Sequence, residues 1–264
     1  MILASVVIAA GLAILLLAGV LKDLVVDHRW VMYSLFIGLT LGGIPIVWKL
    51  AKPASPGLII SGCIAFLAMV GLAYLQANGV VGGGGSNFLM LFIAGLAGAS
   101  AMILPGLSGG YLLLLLGQYV PILSGINQFK EALKARDISA AMEPAFGVVL
   151  PVGLGVVIGV AVVGNALQWL LRHQRRATLG VLLGLLLGSV VGLFPFQQGV
   201  EPQVGHTLKG SVLTEETIKE VDPEDWPTEY FRPKGVQVAS SIGLIAIGFA
   251  LTMGVAAIGK DDEA

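Results

Sequence analysis

The feature that most constrains this chain is a turn-forming sequence inside a long stretch without charge. The stretch from Pro53 to Phe129 contains no Asp, Glu, Lys, Arg or His, which is typical of protein that lies in lipid. Within it, residues 105–110 read Pro-Gly-Leu-Ser-Gly-Gly. A break of this kind in lipid frees backbone amides and carbonyls that water cannot reach, and chains tolerate it only where it is buried in protein or lines a cavity. The break is therefore the first place to look for a bound ligand.

The composition predicts an all-α polytopic membrane protein. Of the 264 residues, 56% are hydrophobic and 12% are charged, whereas a soluble domain carries about 25% charged residues. The net charge of -1 indicates no nucleic-acid surface. Cys63 is the single cysteine and the three histidines are isolated, so the chain has no intrachain disulfide and no metal-ligand spacing. We expect no metal and no cofactor.

Eight segments are apolar enough to be membrane helices, which need about 20 apolar residues each. The fourth and fifth are joined by the break and form either two full crossings or the two halves of a re-entrant hairpin. The first begins almost at residue 1 without a basic segment before it, which favours a membrane helix over a signal peptide. The candidate spans are Ile2–Leu21, Trp30–Trp48, Gly57–Gln76, Phe88–Leu104, Leu107–Ile126, Pro144–Leu171, Ala177–Phe196 and Val236–Ile258.

Two short connections carry the basic residues that set the orientation. One holds Lys49 and Lys52, and the other holds Arg172, Arg175 and Arg176. The positive-inside rule places both in the cytoplasm, and counting crossings from either one gives the same topology. The polar segment 197–235, with eight acidic and four basic residues, then lies outside.

An internal repeat with an offset of 146 residues is visible. Arg29 is followed nine residues later by the sequence Gly-Leu-Thr-Leu-Gly, and Arg175 is followed nine residues later by Gly-Leu-Leu-Leu-Gly. By the charge count the two copies have opposite orientation. Inverted repeats are typical of transporters, with the ligand near the bilayer midplane at their interface. The alternative is that such a short motif is simply common in apolar helices.

The repeat predicts an inverted-repeat helical bundle of two parts. Residues 1–87 would be the remainder of a first repeat with three membrane helices. Residues 88–264 would be the second repeat, with the re-entrant or broken hairpin at Pro105–Gly110, three membrane helices and the acidic extracytoplasmic loop 197–235. Glycines at four-residue spacing on the helix after Arg175 predict a helix–helix contact face; they are Gly180, Gly184, Gly188 and Gly192.

The residues of the break favour an anion site. Pro105 cannot donate a backbone hydrogen bond and disrupts the turn before it. Gly106, Gly109 and Gly110 permit positive φ and close approach of a ligand, and Ser108 is a good N-cap for a new helix. Free amides at a helix start attract a phosphate or a carboxylate. The alternative is a kink or a hairpin turn at the membrane surface with no ligand.

Five further side chains are candidates for substrate binding. Ser100, Gln118 and Tyr119 are the strong hydrogen-bonding side chains near the break. Gln118 is costly in apolar surroundings unless it is paired, whereas an interfacial aromatic would also explain Tyr119. Arg29 and Arg175 lie at helix ends, where they either anchor the topology by snorkelling or recruit an anionic lipid head group.

No residue pattern indicates an enzyme. The predicted spans contain no Asp or Glu, and there is no Ser-His-Asp set, no His/Glu metal set and no Arg/His cluster of a phosphatase type. We therefore identify no catalytic residue and no metal ligand.

The break and its surroundings resemble a known family. Residues 99–110, Ala-Ser-Ala-Met-Ile-Leu-Pro-Gly-Leu-Ser-Gly-Gly, continued by the leucine run 112–116 and by Gly-Gln-Tyr at 117–119, are similar to the hallmark of the bacterial polyprenyl-phosphate transporter family, long catalogued as an integral membrane domain of unknown function. The stretch from Arg29 to Trp48, with its Gly-x-Ile-Pro-x-x-Trp end, resembles the other sequence that this family shares. The resemblance extends to about Phe196.

The resemblance implies a flippase-like carrier of undecaprenyl phosphate in the bacterial cytoplasmic membrane. Such a carrier returns the lipid from the outer to the inner leaflet for cell-wall and surface-glycan biogenesis. Its partners would be the polyprenyl-phosphate lipid and the bilayer, with homo-oligomerisation left open. The family has two inverted repeats that each open with a Pro-Gly-x-Ser-Gly-Gly hairpin. The first hairpin would precede Ile2, so we expect a missing N-terminal part.

On this interpretation the phosphate binds the amides of Gly106–Gly110, with Ser108 donating. Two other functions stay open on the sequence alone. One is a transporter or channel for a small anion, which would use the same amides. The other is a non-transporting membrane scaffold, in which the break serves packing only.

Overall fold

The computed structural model describes residues 23–78, 85–205, 207–208, 211–215, 218, 221 and 226–261. After helical residues 23–27, the helices are α1 (Arg29–Ala51), α2 (Pro56–Ala77), α3 (Phe88–Ile103), α4 (Gly109–Leu115), α5 (Tyr119–Lys134), α6 (Ile138–Pro144), a π-helical turn (Ala145–Val149), α7 (Leu150–His173), α8 (Arg175–Gly192) and α9 (Gly235–Asp261). The short strands are β1 (Gln197–Gly199), β2 (Thr207–Leu208), β3 (Ser211–Val212) and β4 (Thr228–Tyr230).

The described part of the chain is an all-α polytopic membrane fold, as the sequence predicts. Five helices are long and apolar enough to cross a bilayer, and large apolar side chains along them are exposed, as lipid-facing residues are. The predicted span Ile2–Leu21 lies outside the described residues. The five are Arg29–Ala51, Pro56–Gln76, Ile138–His173, Arg175–Gly192 and Gly235–Ile258.

The prediction of one continuous span over Leu107–Ile126 is wrong. α4 is 7 residues long, and the chain bends by 111° between α4 and α5. The bend lies at Gly117, whose φ is 67°. The amide of Gly117 donates to Leu114 O and the amide of Gln118 donates to Leu113 O, both at 2.9 Å. This pair of bonds is a Schellman motif, which ends a helix at a left-handed glycine.

The polar segments are also more ordered than loops. Helices α5 and α6 take up most of the predicted connection 128–143. Between them, Arg136 has a positive φ of 56°, and the Asp137 side chain caps α6 by accepting a hydrogen bond from Ala140 N. Within 197–235, β1 pairs antiparallel with β4, and β2 pairs antiparallel with β3. α8 ends at Gly192, four residues before the predicted end of that span.

The chain divides into two compact units. One comprises residues 1–42, 193–206 and 213–264, and the other comprises residues 43–192 and 207–212.

In the first unit, α1 packs in parallel on α9 through small residues. A Cβ added to Gly38 would overlap the backbone of Ile245, and one added to Gly248 would overlap the backbone oxygen of Leu35. The Oγ atoms of Ser34 and Ser241 lie 2.8 Å apart in a buried hydrogen bond. Close backbone approach through small residues is how membrane helices associate.

The second unit contains the corresponding pair, α2 with α8, which is also parallel. Cβ atoms added to Gly180 and Gly184 would overlap the backbone oxygens of Leu58 and Gly62, and Gly188 lies against Met69. This confirms the contact face predicted from the four-residue glycine spacing. A second tight pair joins α3 to α7 in the same unit, where a Cβ on Gly155 would overlap the backbone oxygen of Phe92.

Candidate functional site

The break lies between α3 and α4 and packs against α8. Gly106 has φ +86°, and a Cβ added there would lie 2.5 Å from Ser189 Cβ and 3.1 Å from Leu185 O. Only glycine fits this position, because the left-handed conformation and the contact both exclude a side chain. Gly109 and Gly110 are instead the first two residues of α4, so of the three glycines that permit positive φ, Gly106 adopts it.

Ser108 is the N-cap of α4, as predicted. Its Oγ accepts a hydrogen bond from Tyr111 N at 3.3 Å, and a hydroxyl that accepts in this way still has its proton to donate. Ser108 is exposed. Within the described residues, the backbone N–H groups of Ser108, Gly109 and Gly110 have no hydrogen-bond acceptor, whereas the N–H of Leu107 closes the turn at Pro105 and Gly106. The break therefore presents one hydroxyl and a run of amides that a ligand can reach.

Gly109 and Gly110 leave room beside these amides. A Cβ on Gly109 would make ordinary contact, at 3.6 Å, with Ala101 Cβ and Gly98 O of α3. A Cβ on Gly110 would meet Tyr119 Cε2 at 3.8 Å. No described protein atom requires glycine at residue 110, so its lack of a side chain leaves the backbone there open.

The contacts of the break with α8 fix its distance from the basic start of that helix. α8 begins at Arg175, and the break contacts Leu185 and Ser189. At 1.5 Å per residue, these contacts lie about 15 to 21 Å from the start of the helix. The hydrocarbon core is about 30 Å thick. With the basic start of α8 at one membrane surface, the break lies within the hydrocarbon core and away from that surface.

The α3–α7 pair gives the same depth. Gly159 of α7 lies against Leu96 and Ala99, near the end of α3, and α7 continues in parallel for a further 14 residues to His173, which is about 21 Å. α3 is thus too short to reach the end of α7, and α4 is shorter still. The geometry favours the re-entrant hairpin over two full crossings.

The three polar candidates around the break differ in their surroundings. Ser100 is half-buried, and its hydroxyl donates to Leu96 O of its own helix at 2.8 Å. Tyr119 lies beside Gly110. Gln118 is 0% exposed; its Nε2 donates to Leu116 O at 3.2 Å, while its Oε1 has no donor. A buried amide oxygen without a donor costs about 1–3 kcal/mol, so Gln118 suits a position that a ligand or a water completes.

Neither candidate arginine is shown in contact with the break among the described residues. Arg29 belongs to the other compact unit, where it starts α1, is 6% exposed and has its guanidinium against Gly199 of β1. Arg175 lies at the opposite end of α8 from the break. The structure therefore places Tyr119 and helix α3 beside the first residues of α4 and separates Arg175 from them.

Arg175 instead lines a basic cleft that the site prediction did not include. The cleft has a volume of about 440 Å³ and is lined by residues 49–52 and by Arg175 and Arg176. Four cationic side chains therefore face it, those of Lys49, Lys52, Arg175 and Arg176. The positive-inside rule places both basic connections on the same side of the membrane. That shared side is the sequence feature from which the cleft could be predicted. A second cleft, mostly apolar, adjoins it and shares Leu50 and Arg175.

Comparison with known proteins gives the family. The model of the undecaprenyl phosphate translocase-like family matches residues 1–208. A polyprenyl-phosphate transporter of Vibrio cholerae is 26% identical over 241 residues, which cover 89% of this chain and 69% of the relative. A polyprenyl-phosphate transporter of Staphylococcus aureus is 29% identical over 201 residues, which cover 73% of this chain and 68% of the relative. No solved structure matches the chain. The chain belongs to the undecaprenyl phosphate translocase-like family.

Proposed function

We propose that this protein carries undecaprenyl phosphate across the bacterial cytoplasmic membrane, from the outer to the inner leaflet, for reuse in cell-envelope glycan synthesis. It does so as a transporter rather than an enzyme, in keeping with relatives that are named polyprenyl-phosphate transporters. The observation that carries the proposal is the break at Pro105–Gly110, an accessible polar backbone segment that contacts α8 at Leu185 and Ser189.

The proposed phosphate site consists of the free amides of residues 108–110 and the hydroxyl of Ser108. A lipid phosphate monoester carries about -1.5 to -2 charges and three acceptor oxygens at pH 7, so it needs several donors at once. The break supplies them without a charged side chain, because α3, α4 and α8 contain no acidic residue and the only basic residues among them are at the start of α8. Donors in apolar surroundings interact strongly with an anion.

Gln118 and Tyr119 border the proposed site at the second bend, and Ser100 borders it on α3. Gln118 Oε1, which has no donor in the described protein, would accept from a protonated phosphate oxygen. The isoprenoid tail would stay in lipid beside the hairpin, where Met102 is 85% exposed. The head group alone would then need to enter the protein.

The two proposed repeats, 1–87 and 88–264, would expose the site to one leaflet and then to the other. The tight pairs α1–α9 and α2–α8 each join helices of both proposed repeats, so the moving bodies would be bundles built from these pairs. Inverted-repeat transporters work by rocking one repeat or bundle against the other around a fixed site.

Binding of undecaprenyl phosphate to the purified full chain, measured by native mass spectrometry, tests this site. We expect the wild type to retain the lipid against polyprenol and against inorganic phosphate. Ser108→Ala should lower the affinity by about tenfold, since it removes a hydrogen bond to a charged group. Ser108→Thr is the matched control, because it keeps both the hydroxyl and the capping acceptor, and should bind as the wild type does.

Two results would overturn the proposal. Equal retention of undecaprenyl phosphate by Ser108→Ala and Ser108→Thr would show that the Ser108 hydroxyl does not bind the phosphate. Equal competition by inorganic phosphate and by the lipid would favour a small-anion carrier that uses the same amides.

A further inference from the structure

We propose that the basic cleft at the start of α8 is a second binding site for the phosphate head group of a lipid, separate from the break. The inference rests on the proposed function in one respect: it takes the carried lipid to be a polyprenyl phosphate. The cleft is lined by Lys49, Lys52, Arg175 and Arg176, and the positive-inside rule puts it at the cytoplasmic surface.

The charge of the cleft selects an anion. All four cationic side chains are exposed, and within the described chain none of them makes an ion pair with an acidic residue. The described acidic residues of the same unit lie at 131, 137 and 143, in α5, α6 and the turn between them. Arginine recognises phosphate by paired hydrogen bonds, and lysine adds charge. Arg175 is also the first residue of α8, where the helix dipole favours negative charge.

The neighbouring cleft selects a lipid rather than a free phosphate. It is lined mainly by apolar side chains of α1, α7 and α8, and it shares Leu50 and Arg175 with the basic cleft. Leu50 is 52% exposed although it is a leucine beside four cations. A ligand with a phosphate head and an apolar chain would satisfy both clefts at once.

The distance between the cleft and the break separates the two sites. The break contacts α8 at Leu185 and Ser189, about 15 to 21 Å along the helix from Arg175. One phosphate cannot bind both sites, yet a lipid that leaves the break toward the cytoplasm would meet the cleft next. The cleft would thus receive the head group on the cytoplasmic side.

Stoichiometry of lipid binding to the purified full chain tests the proposal. The probes are undecaprenyl phosphate, phosphatidylglycerol, polyprenol and inorganic phosphate, each measured by native mass spectrometry at low and high salt. We expect Arg175→Gln/Arg176→Gln to lose one equivalent of undecaprenyl phosphate, with at least about a tenfold fall in affinity for that equivalent. Arg175→Lys/Arg176→Lys should retain it. Lys130→Gln/Arg136→Gln removes the same charge from the polar segment 128–143 and should bind as the wild type does.

The outcomes separate this proposal from the function proposed above. Loss of one equivalent in the arginine variant, with the other still sensitive to Ser108→Ala, supports two sites. An equal loss of phosphatidylglycerol keeps the phosphate-lipid site and identifies its occupant as a membrane phospholipid. Binding by Arg175→Gln/Arg176→Gln that matches the Lys130→Gln/Arg136→Gln control overturns the cleft, whatever Ser108→Ala does. Binding of inorganic phosphate alone also overturns it.

Discussion

The two parallel helix pairs, α1 with α9 and α2 with α8, share the same glycine-mediated packing but differ in what else they contact. α1 begins at residue 29 and α8 at residue 175, the offset found in the sequence repeat. α9 follows α8 as α2 follows α1, so each glycine-bearing helix packs on the second helix of the other proposed repeat. Such an exchange is what an inverted repeat predicts, and it supports the division at residue 88 as a proposal.

The difference between the pairs lies in what else each one holds. In α1–α9, hydroxyl groups add to the packing: Ser34 pairs with Ser241, and Thr252 Oγ1 donates to Leu39 O at 2.9 Å. In α2–α8 the glycines lie mainly on α8, and the far half of α8 also receives Gly106 of the break. The second pair is therefore both a tight helix–helix contact and the surface on which the break packs.

The largest effects should come from filling the glycine contacts. Gly184→Leu in α8 and Gly38→Leu in α1 would each push a side chain into facing backbone, at a cost at or above about 3 kcal/mol. We expect both to lose monodisperse folded protein in detergent, measured by size-exclusion chromatography and thermal melting. Gly71→Leu on α2, where no atom lies within 4 Å, is the control. If Gly38→Leu stays folded while Gly184→Leu does not, the two helix pairs do not share the same packing.

A smaller loss of stability should follow from filling the contact between Gly106 of the break and Ser189 of α8. Gly106→Ala forces a left-handed conformation, which costs about 1–2 kcal/mol, and brings Cβ to 2.5 Å from Ser189 Cβ. Ser189→Gly removes the second penalty but not the first, so the double variant should recover part of the melting temperature. If Ser189→Gly rescues nothing, the break does not rest on α8 as described.

The hydroxyl pair of α1–α9 should contribute less. Ser34→Ala leaves the buried Ser241 hydroxyl without its partner and should cost about 0.6 kcal/mol, the average for hydrogen bonds between membrane helices. Ser34→Ala/Ser241→Ala should be closer to the wild type than the sum of the two single variants, because both partners are then apolar. A double-mutant cycle on thermal unfolding measures this coupling, and an additive cycle would contradict it.

The smallest effect on stability is expected at Gln118. Gln118→Met keeps the volume and removes a buried oxygen that has no donor, so the melting temperature should stay the same or rise. Affinity for undecaprenyl phosphate should fall by about tenfold if the amide contacts the ligand. A clear loss of stability with unchanged lipid affinity would assign Gln118 to structure alone.

Much of this fold could be read from residues. Apolar length located the five described spans, four-residue glycine spacing located the face of α8, and Ser108 was predicted as an N-cap from its place after Pro105. Each of these depends on local chemistry, which a sequence displays. The positive-inside rule also placed the two basic connections together, as the cleft now does.

The rest depends on tertiary contacts that local patterns do not encode. The leucine run 112–116 looks like the middle of a span, so the helix end at Gly117 was missed. The position of the break along the membrane helices follows from its contacts with α8 and from the packing of α3 on α7. The burial of Arg29 follows from a strand about 170 residues further along the chain, at Gly199, which no spacing around Arg29 reveals.

Transfer of undecaprenyl phosphate between leaflets of proteoliposomes tests the central claim most directly. The claim is that the backbone of the break binds the phosphate during transport. Gly110→Ala adds one methyl group where the only protein contact would be Tyr119 at 3.8 Å, and Gly71→Ala adds the same group on a face with no neighbour. We predict that Gly110→Ala slows transfer at least about tenfold while Gly71→Ala transfers as the wild type does. Equal rates for both variants would contradict the account.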